Sequence, residues 1–149
     1  MSHSTNHRPP ADLLKSAEHW REDINFRQDV LGKPFDIATT WGIFSPQKLD
    51  DGSLMLLDYV DFQADDDSID LGCGYGVLGM TGARECPNGL HTLIDKDFMA
   101  VEYARRNCEK NGLKNVDVHL SNGFYHVAKD MSNLCVLGKR NFYGTIELQ

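Results

Sequence analysis

The sequence predicts a mixed α/β fold, a parallel β-sheet with helices crossing between its strands and a β-hairpin in front of it. Three observations carry this reading. The run Asp70-Leu71-Gly72-Cys73-Gly74-Tyr75-Gly76 follows a short apolar segment and leads into a segment of helical pattern. Further apolar segments at residues 90–95 and 116–120 leave room for a helix between each pair, the crossover that parallel strands require. Ahead of them, residues 24–30 and 35–39 alternate apolar with polar around Leu31-Gly32-Lys33, a hairpin signature.

Taken in order, residues 1–22 read as a flexible tail of Ser, Thr, Asn, His and Pro-Pro, followed by a short amphipathic piece around Leu13 and Leu14. Residues 23–149 are expected to form one domain. After the hairpin come Trp41-Gly42-Ile43-Phe44-Ser45-Pro46 and Leu49-Asp50-Asp51-Gly52-Ser53, then a helical run over residues 54–60 that Asp51 or Ser53 can cap. Ser68-Ile69-Asp70-Leu71 reads as a buried strand. The helix expected over residues 77–84 is weakened by Gly79 and Gly82, each costing about 1 kcal/mol relative to Ala. With the strand at residues 90–95 it forms a βαβ unit of right-handed crossover. In the next helix, residues 98–111, Val101, Ala104 and Cys108 share one face, with Phe98 and Tyr103 beside it and Arg105, Arg106, Glu109 and Lys110 outside. Asn111-Gly112 supplies a left-handed stop. The strand at residues 116–120 ends in Ser121-Asn122-Gly123, and residues 134–137 and 142–148 can each add a short strand.

Two ligand chemistries compete for the glycine turn. Gly74, Gly76 and Gly79 fit the G-x-G-x-x-G spacing of a dinucleotide site, with Asp95 as the later acid. Pyrophosphate is anionic, however, and wants a glycine turn with no carboxylate beside it. Asp70 stands at the strand end two residues before Gly72, where a carboxylate suits a ligand carrying an ammonium or sulfonium charge. The spacing therefore favours S-adenosylmethionine over NAD. Asp95, at the end of the second strand, can accept hydrogen bonds from two ribose hydroxyls or cap the following helix, and the two roles are compatible. Asn122 can bond an adenine ring through its amide or serve as a plain turn residue. All three strands end in polar or glycine turns, the edge at which open α/β sheets bind ligands.

Composition bounds these readings. At 149 residues and 41% hydrophobic content the chain suits one globular core. It contains no apolar run of membrane-spanning length and no signal-like opening, so a cytoplasmic location is expected. Cys73, Cys86, Cys108 and Cys135 form no C-x-x-C pair, and no histidines stand at metal spacing, which favours free thiols and no metal site. A net charge of −7 offers no global basic field for nucleic acid, leaving any such contact to a local patch or another domain.

Several ordered blocks resemble the methyltransferase small domain family, which includes enzymes related to ribosomal RNA small-subunit methyltransferase C. They are Gly42-Ile43-Phe44-Ser45, Leu49-Asp50-Asp51-Gly52-Ser53, the glycine turn, Asp95, residues 107–112 and Ser121-Asn122-Gly123, covering roughly residues 24–130. The resemblance implies a Rossmann-like S-adenosylmethionine-dependent methyltransferase acting on a guanine exocyclic amine of ribosomal RNA. It implies that Asp70 and the backbone of Gly72, Cys73 and Gly74 face the methionine moiety, with Gly76 completing the turn. Asp95 would hold the ribose and Lys96 flank the adenine pocket, while Asn122 stands where the family more often has Asp. Phe44 and Ser45 would fold over the pocket, although Phe44 serves equally well as packing.

The departure lies near the C-terminus. Family members resemble one another in an Asn-Pro-Pro-aromatic motif whose Asn side chain and Pro carbonyl orient the target amine. No Asn-Pro-Pro occurs here, and Asn141-Phe142-Tyr143 lacks the prolines. No catalytic residue is assigned. The sheet is expected to be incomplete at its C-terminal side, through truncation, a shifted frame or divergence, with a bare edge open to self-association. Two alternatives stand beside the RNA methyltransferase: a non-catalytic cofactor-binding or remnant module, and a protein glutamine N-methyltransferase.

Overall fold

The computed structural model describes residues 22–43 and 51–122, together with the backbone of residues 134–138 and 143–146. The expected tail, Phe44, Ser45, Gly123 and Asn141-Phe142 lie outside the described residues. Strands β1 (Ile24–Val30) and β2 (Lys33–Thr39) form the antiparallel hairpin. Then follow α1 (Asp51–Asp58), β3 (Asp67–Leu71), α2 (Val77–Glu85), β4 (His91–Asp95), α3 (Phe98–Lys110), β5 (Val116–Leu120), β6 (Leu134–Gly138) and β7 (Tyr143–Ile146). The last five strands make one sheet in the order β5-β4-β3-β6-β7, parallel except for β7, which runs antiparallel to β6. The strand carrying the glycine turn is thus paired on both sides, and among the described residues the sheet edges fall on β5 and β7.

The hairpin closes through Leu31 and Gly32, both with positive φ (50° and 75°), the combination a two-residue turn needs to match strand twist. Alternation along β2 buries Phe35, Ile37 and Thr39, with Ala38 also buried. Phe35, Ile37 and Ala38 join Tyr75, Leu78, Met80, Leu93, Val101 and Ala104 in one core, so the hairpin is packed onto the domain.

Gly79 and Gly82, costly to helix propensity, are explained by packing. A Cβ on Gly79 would lie 2.3 Å from Leu93 Cγ, and one on Gly82 would lie 2.9 Å from Ser68 Oγ and 3.0 Å from His91 Nδ1. The two glycines let α2 settle directly onto β3 and β4. Beneath Gly82, His91 is fully buried, with Nδ1 2.7 Å from Ser68 Oγ and Nε2 2.9 Å from the Cys86 carbonyl. Burial lowers the His91 pKa, consistent with a neutral ring that donates from Nε2 and accepts at Nδ1.

Two local expectations are corrected. Helix α1 runs from Asp51 to Asp58 and not over residues 54–60, so Asp51 and the buried Ser53 are both residues of its first turn and neither precedes it as a cap. Phe98, expected beside the buried face of α3, is 63% exposed as the first residue of the helix.

Gly79→Ala should gain about 1 kcal/mol of helix propensity yet be destabilised overall by about 1–3 kcal/mol, because the new methyl overlaps Leu93. The shift in urea midpoint measures this, and an unchanged or higher midpoint would show that α2 can lift off β4 at no cost.

Candidate functional site

The ends of β3, β4 and β5 are stitched together by their own backbone. The Ile94 carbonyl accepts from Gly72 N at 2.9 Å and from Cys73 N at 3.0 Å, which pins the start of the glycine turn to β4. Ser121 N donates to the Asp95 carbonyl at 2.9 Å, which pins the end of β5 to the same strand. The Asp95 side chain completes the arrangement: Oδ2 accepts Gly74 N and Oδ1 accepts Asp97 N, each at 3.0 Å. One carboxylate therefore fixes both the turn after β3 and the loop after β4.

The turn itself needs left-handed backbone, with φ of 73° at Gly72, 55° at Gly74 and 100° at Gly76. At Gly76 a side chain is excluded a second way, since a Cβ would lie 3.1 Å from the Ala104 Cβ. Gly76 is also the N-cap of α2 and has no side chain to offer. Asp70 takes over that duty from the strand below: its buried Oδ2 accepts Gly79 N in the first turn of α2 at 2.8 Å. Asp70 is 1% exposed and lies beneath the turn, not on its surface. A negative charge there complements the N-terminus of α2.

Cys73 is buried, and its Sγ points to the Gly74 carbonyl at 3.5 Å. Burial, reinforced by Asp70 and Asp95, pushes its thiol pKa well up, so it remains a neutral packing group and no nucleophile. Lys96 and Asn122 stand exposed at the rim, on the loops after β4 and β5. The structure thus gathers Asp70, Gly72, Cys73, Gly74, Gly76, Asp95, Lys96 and Asn122 around one edge of the sheet, at two depths.

Asp95 is not the cap of α3. That role belongs to Asp97, whose extended backbone (φ −92°, ψ 120°) lets its side chain accept Met99 N at 2.9 Å. An acid immediately before the helical run was a legible cap signal. With capping assigned to Asp97, Asp95 is left to the turn and to whatever lies above it. A second feature was legible only as the first residue of the 107–112 block, without its role: the fully buried Asn107 of α3, whose amide reaches both β2 and the turn.

The donor set fits an adenosine-type ligand with a cationic arm. Among the described residues nothing lies within 4 Å of the place a Cβ on Gly72 would take, so they leave the turn surface open there. The Asp95 carboxylate, with one backbone N–H on each oxygen, retains lone pairs for two hydroxyls. Asp70, Asp95 and Asp97 at one edge oppose an anionic pyrophosphate. Beside this edge, a cleft of about 230 Å³ lies between the end of β2 and the start of α3, walled by Trp41, Ile43, Met99 and Tyr103 with Asp97 at its border. Asp23 ties the hairpin to α3 here: it accepts the Tyr103 hydroxyl and pairs with Arg106, which together hold its pKa down. Among the described residues no group of His, Cys, Asp and Glu is arranged to hold a metal ion.

Comparison with known proteins agrees with this geometry. The family model for the methyltransferase small domain matches residues 34–137. A ribosomal RNA small subunit methyltransferase C of Stutzerimonas stutzeri is 37% identical over 90 residues, 60% of this chain and 27% of that protein. A ribosomal RNA large subunit methyltransferase G of Pseudoalteromonas translucida is 40% identical over 81 residues, 54% of this chain and 21% of that one. The chain thus spans about a quarter of these relatives. In three dimensions it resembles a 16S rRNA N2 methyltransferase of T. thermophilus, solved with AdoMet and guanosine. That likeness has a TM-score of 0.70 and 22% identity, and covers 81% of this chain and 33% of the other; it shows a common fold.

Asp97→Ala should cost about 1 kcal/mol of stability, the value of an N-cap, with binding at the glycine turn retained. Denaturant unfolding measures this, and a variant as stable as the wild type would remove the cap assignment.

Proposed function

We propose that this chain, which belongs to the methyltransferase small domain family, transfers a methyl group from S-adenosylmethionine to RNA, with a guanine exocyclic amine as acceptor. The observation that carries the reading is the Asp95 carboxylate locked onto Gly74 N at the open glycine turn. In this reading Asp95 accepts the ribose hydroxyls, and the backbone of Gly72 to Gly74 carries the methionine arm. Asp70 holds the turn and α2 in place from below while adding negative charge under a cationic ligand. Gly76 lets α2 start directly after the turn, and Lys96 and Asn122 border the adenine.

When bound, the cofactor supplies a methyl group already activated by its sulfonium. The chain's task is then to hold that group and align an acceptor lone pair with it. A guanine amine must be unstacked to reach such a site. The acceptor is supported by the similarity to ribosomal RNA methyltransferases and by the guanosine in the T. thermophilus complex. With a net charge of −7, affinity for RNA has to come from local contacts or from further polypeptide. A cytoplasmic place of action belongs to this proposal; no helix among the described residues is long and apolar enough to cross a membrane. Pairing of two copies along the β5 or β7 edge belongs to it as well.

One observation favours a second reading, a non-catalytic cofactor-binding module: the chain contains no Asn-Pro-Pro-aromatic motif to orient an amine. Transfer to a protein glutamine, whose amide nitrogen is a similar acceptor, is the remaining variant.

The test is incorporation of labelled methyl from S-adenosylmethionine into ribosomal RNA, free and assembled, beside Asp95→Ala. The expected result is label in guanine, reduced at least about tenfold in the variant, as loss of two ligand hydrogen bonds implies. Incorporation that survives Asp95→Ala would contradict the site assignment. A folded wild type that binds S-adenosylhomocysteine but transfers nothing would contradict RNA as the acceptor and leave the non-catalytic module and the glutamine variant.

A further inference from the structure

The outer edge of β2 is completed by a helix. Asn107 Oδ1 accepts Ala38 N and its Nδ2 donates to the Ala38 carbonyl, both at 2.8 Å. One turn later Asn111 repeats the pattern on Asp36, accepting its N–H at 3.0 Å and donating to its carbonyl at 2.8 Å. The spacing explains why this works. Four helical residues rise about 6.0 Å and two strand residues advance about 6.8 Å, so amides at i and i+4 of a helix meet every second residue of a strand. Each asparagine mimics the N–H and C=O pair that a neighbouring strand would present.

The two asparagines differ in one respect. Nδ2 of Asn107 makes a second bond, to the Tyr75 carbonyl inside the glycine turn, at 2.8 Å. The second Nδ2 bond of Asn111 stays within the helix, to the Asn107 carbonyl. Asn107 is fully buried, and every donor and acceptor of its amide is used against a neighbouring element. It joins three elements that share no sequence neighbourhood: the hairpin, α3 and the cofactor turn. β2 also leads directly into Thr40 to Ile43, which wall the cleft against α3, so the same amide fixes that cleft relative to the turn.

We propose that Asn107 is a positioning residue for cofactor binding: it holds the glycine turn through Tyr75 and registers the hairpin to it, touching no ligand itself. This rests on the reading of the turn as the S-adenosylmethionine site. Asn111, with the same clamp on β2 and no bond to the turn, is the built-in control.

The experiment compares Asn107→Ala, Asn107→Ser and Asn111→Ala by calorimetric titration with S-adenosylhomocysteine and by amide hydrogen exchange without ligand. Both Asn107 variants should lose at least about tenfold in affinity and Asn111→Ala less than about threefold, although all are destabilised by loss of buried hydrogen bonds. Exchange at the Gly76 amide, inside the turn, should accelerate at least about tenfold more in the Asn107 variants than in Asn111→Ala. Equal affinity losses in both positions, or equal exchange at Gly76, would overturn the proposal. If both Asn107 variants unfold while Asn111→Ala folds, Asn107 is a core residue and the proposal is equally overturned. A wild type that fails to bind the ligand overturns the cofactor reading instead, and the ligand-free exchange comparison still decides the role of Asn107.

Discussion

The bond from Gly74 N to the Asp95 carboxylate is the constraint around which the rest of the site is arranged. A left-handed glycine turn has little intrinsic preference for one shape, because glycine loses the most conformational freedom on ordering. Here it is fixed at both ends and from below. Ile94 takes its first two N–H groups, Asp95 takes the third contact, and Asp70 anchors the helix into which it runs. Each of these partners is a strand residue of the parallel sheet, so the rigidity of the sheet is passed to the turn.

Close packing is what makes that transfer possible. Gly79 and Gly82 bring α2 against Leu93, Ser68 and His91, and Gly76 brings the turn against Ala104 of α3. At the other end of α2, Asn115 Nδ2 gathers the Ala83 and Cys86 carbonyls of the helix terminus and the Gly89 carbonyl of the loop that follows. Orphan carbonyls at a helix end need such partners when they are not left to water. The polar groups that hold this layer together are side-chain amides, the Ser68 hydroxyl, one neutral imidazole and the buried Asp70 carboxylate, each hydrogen-bonded to a neighbouring element.

Much of this was legible in the sequence, and the remainder has a physical reason for having been hidden. The strand and helix order from β1 to β5 follows from alternation, the glycine turn and the Asn111-Gly112 stop, because each is a local signal. The strands at Leu134–Gly138 and Tyr143–Ile146 also coincide with short apolar runs. The depth of Asp70 was not readable: a carboxylate at a strand end looks the same whether it faces a ligand or a helix N-terminus. The split between Asp95 and Asp97 turned on which of two acids stands next to the first helical residue. Gly79 and Gly82 looked like weaknesses because their benefit is a close approach to residues of two separate strands. The role of Asn107 was hidden because its partners, Ala38 and Tyr75, are 69 and 32 residues away.

The most direct measurement is a calorimetric titration of the purified 149-residue chain with S-adenosylhomocysteine, run beside Asp95→Ala. Micromolar binding, about −8 kcal/mol, that is lost in the variant is the result expected of a turn and carboxylate built to hold an adenosine-type cofactor. A folded wild type that takes up none of the ligand, or a variant that binds it as well as the wild type, would contradict that assignment.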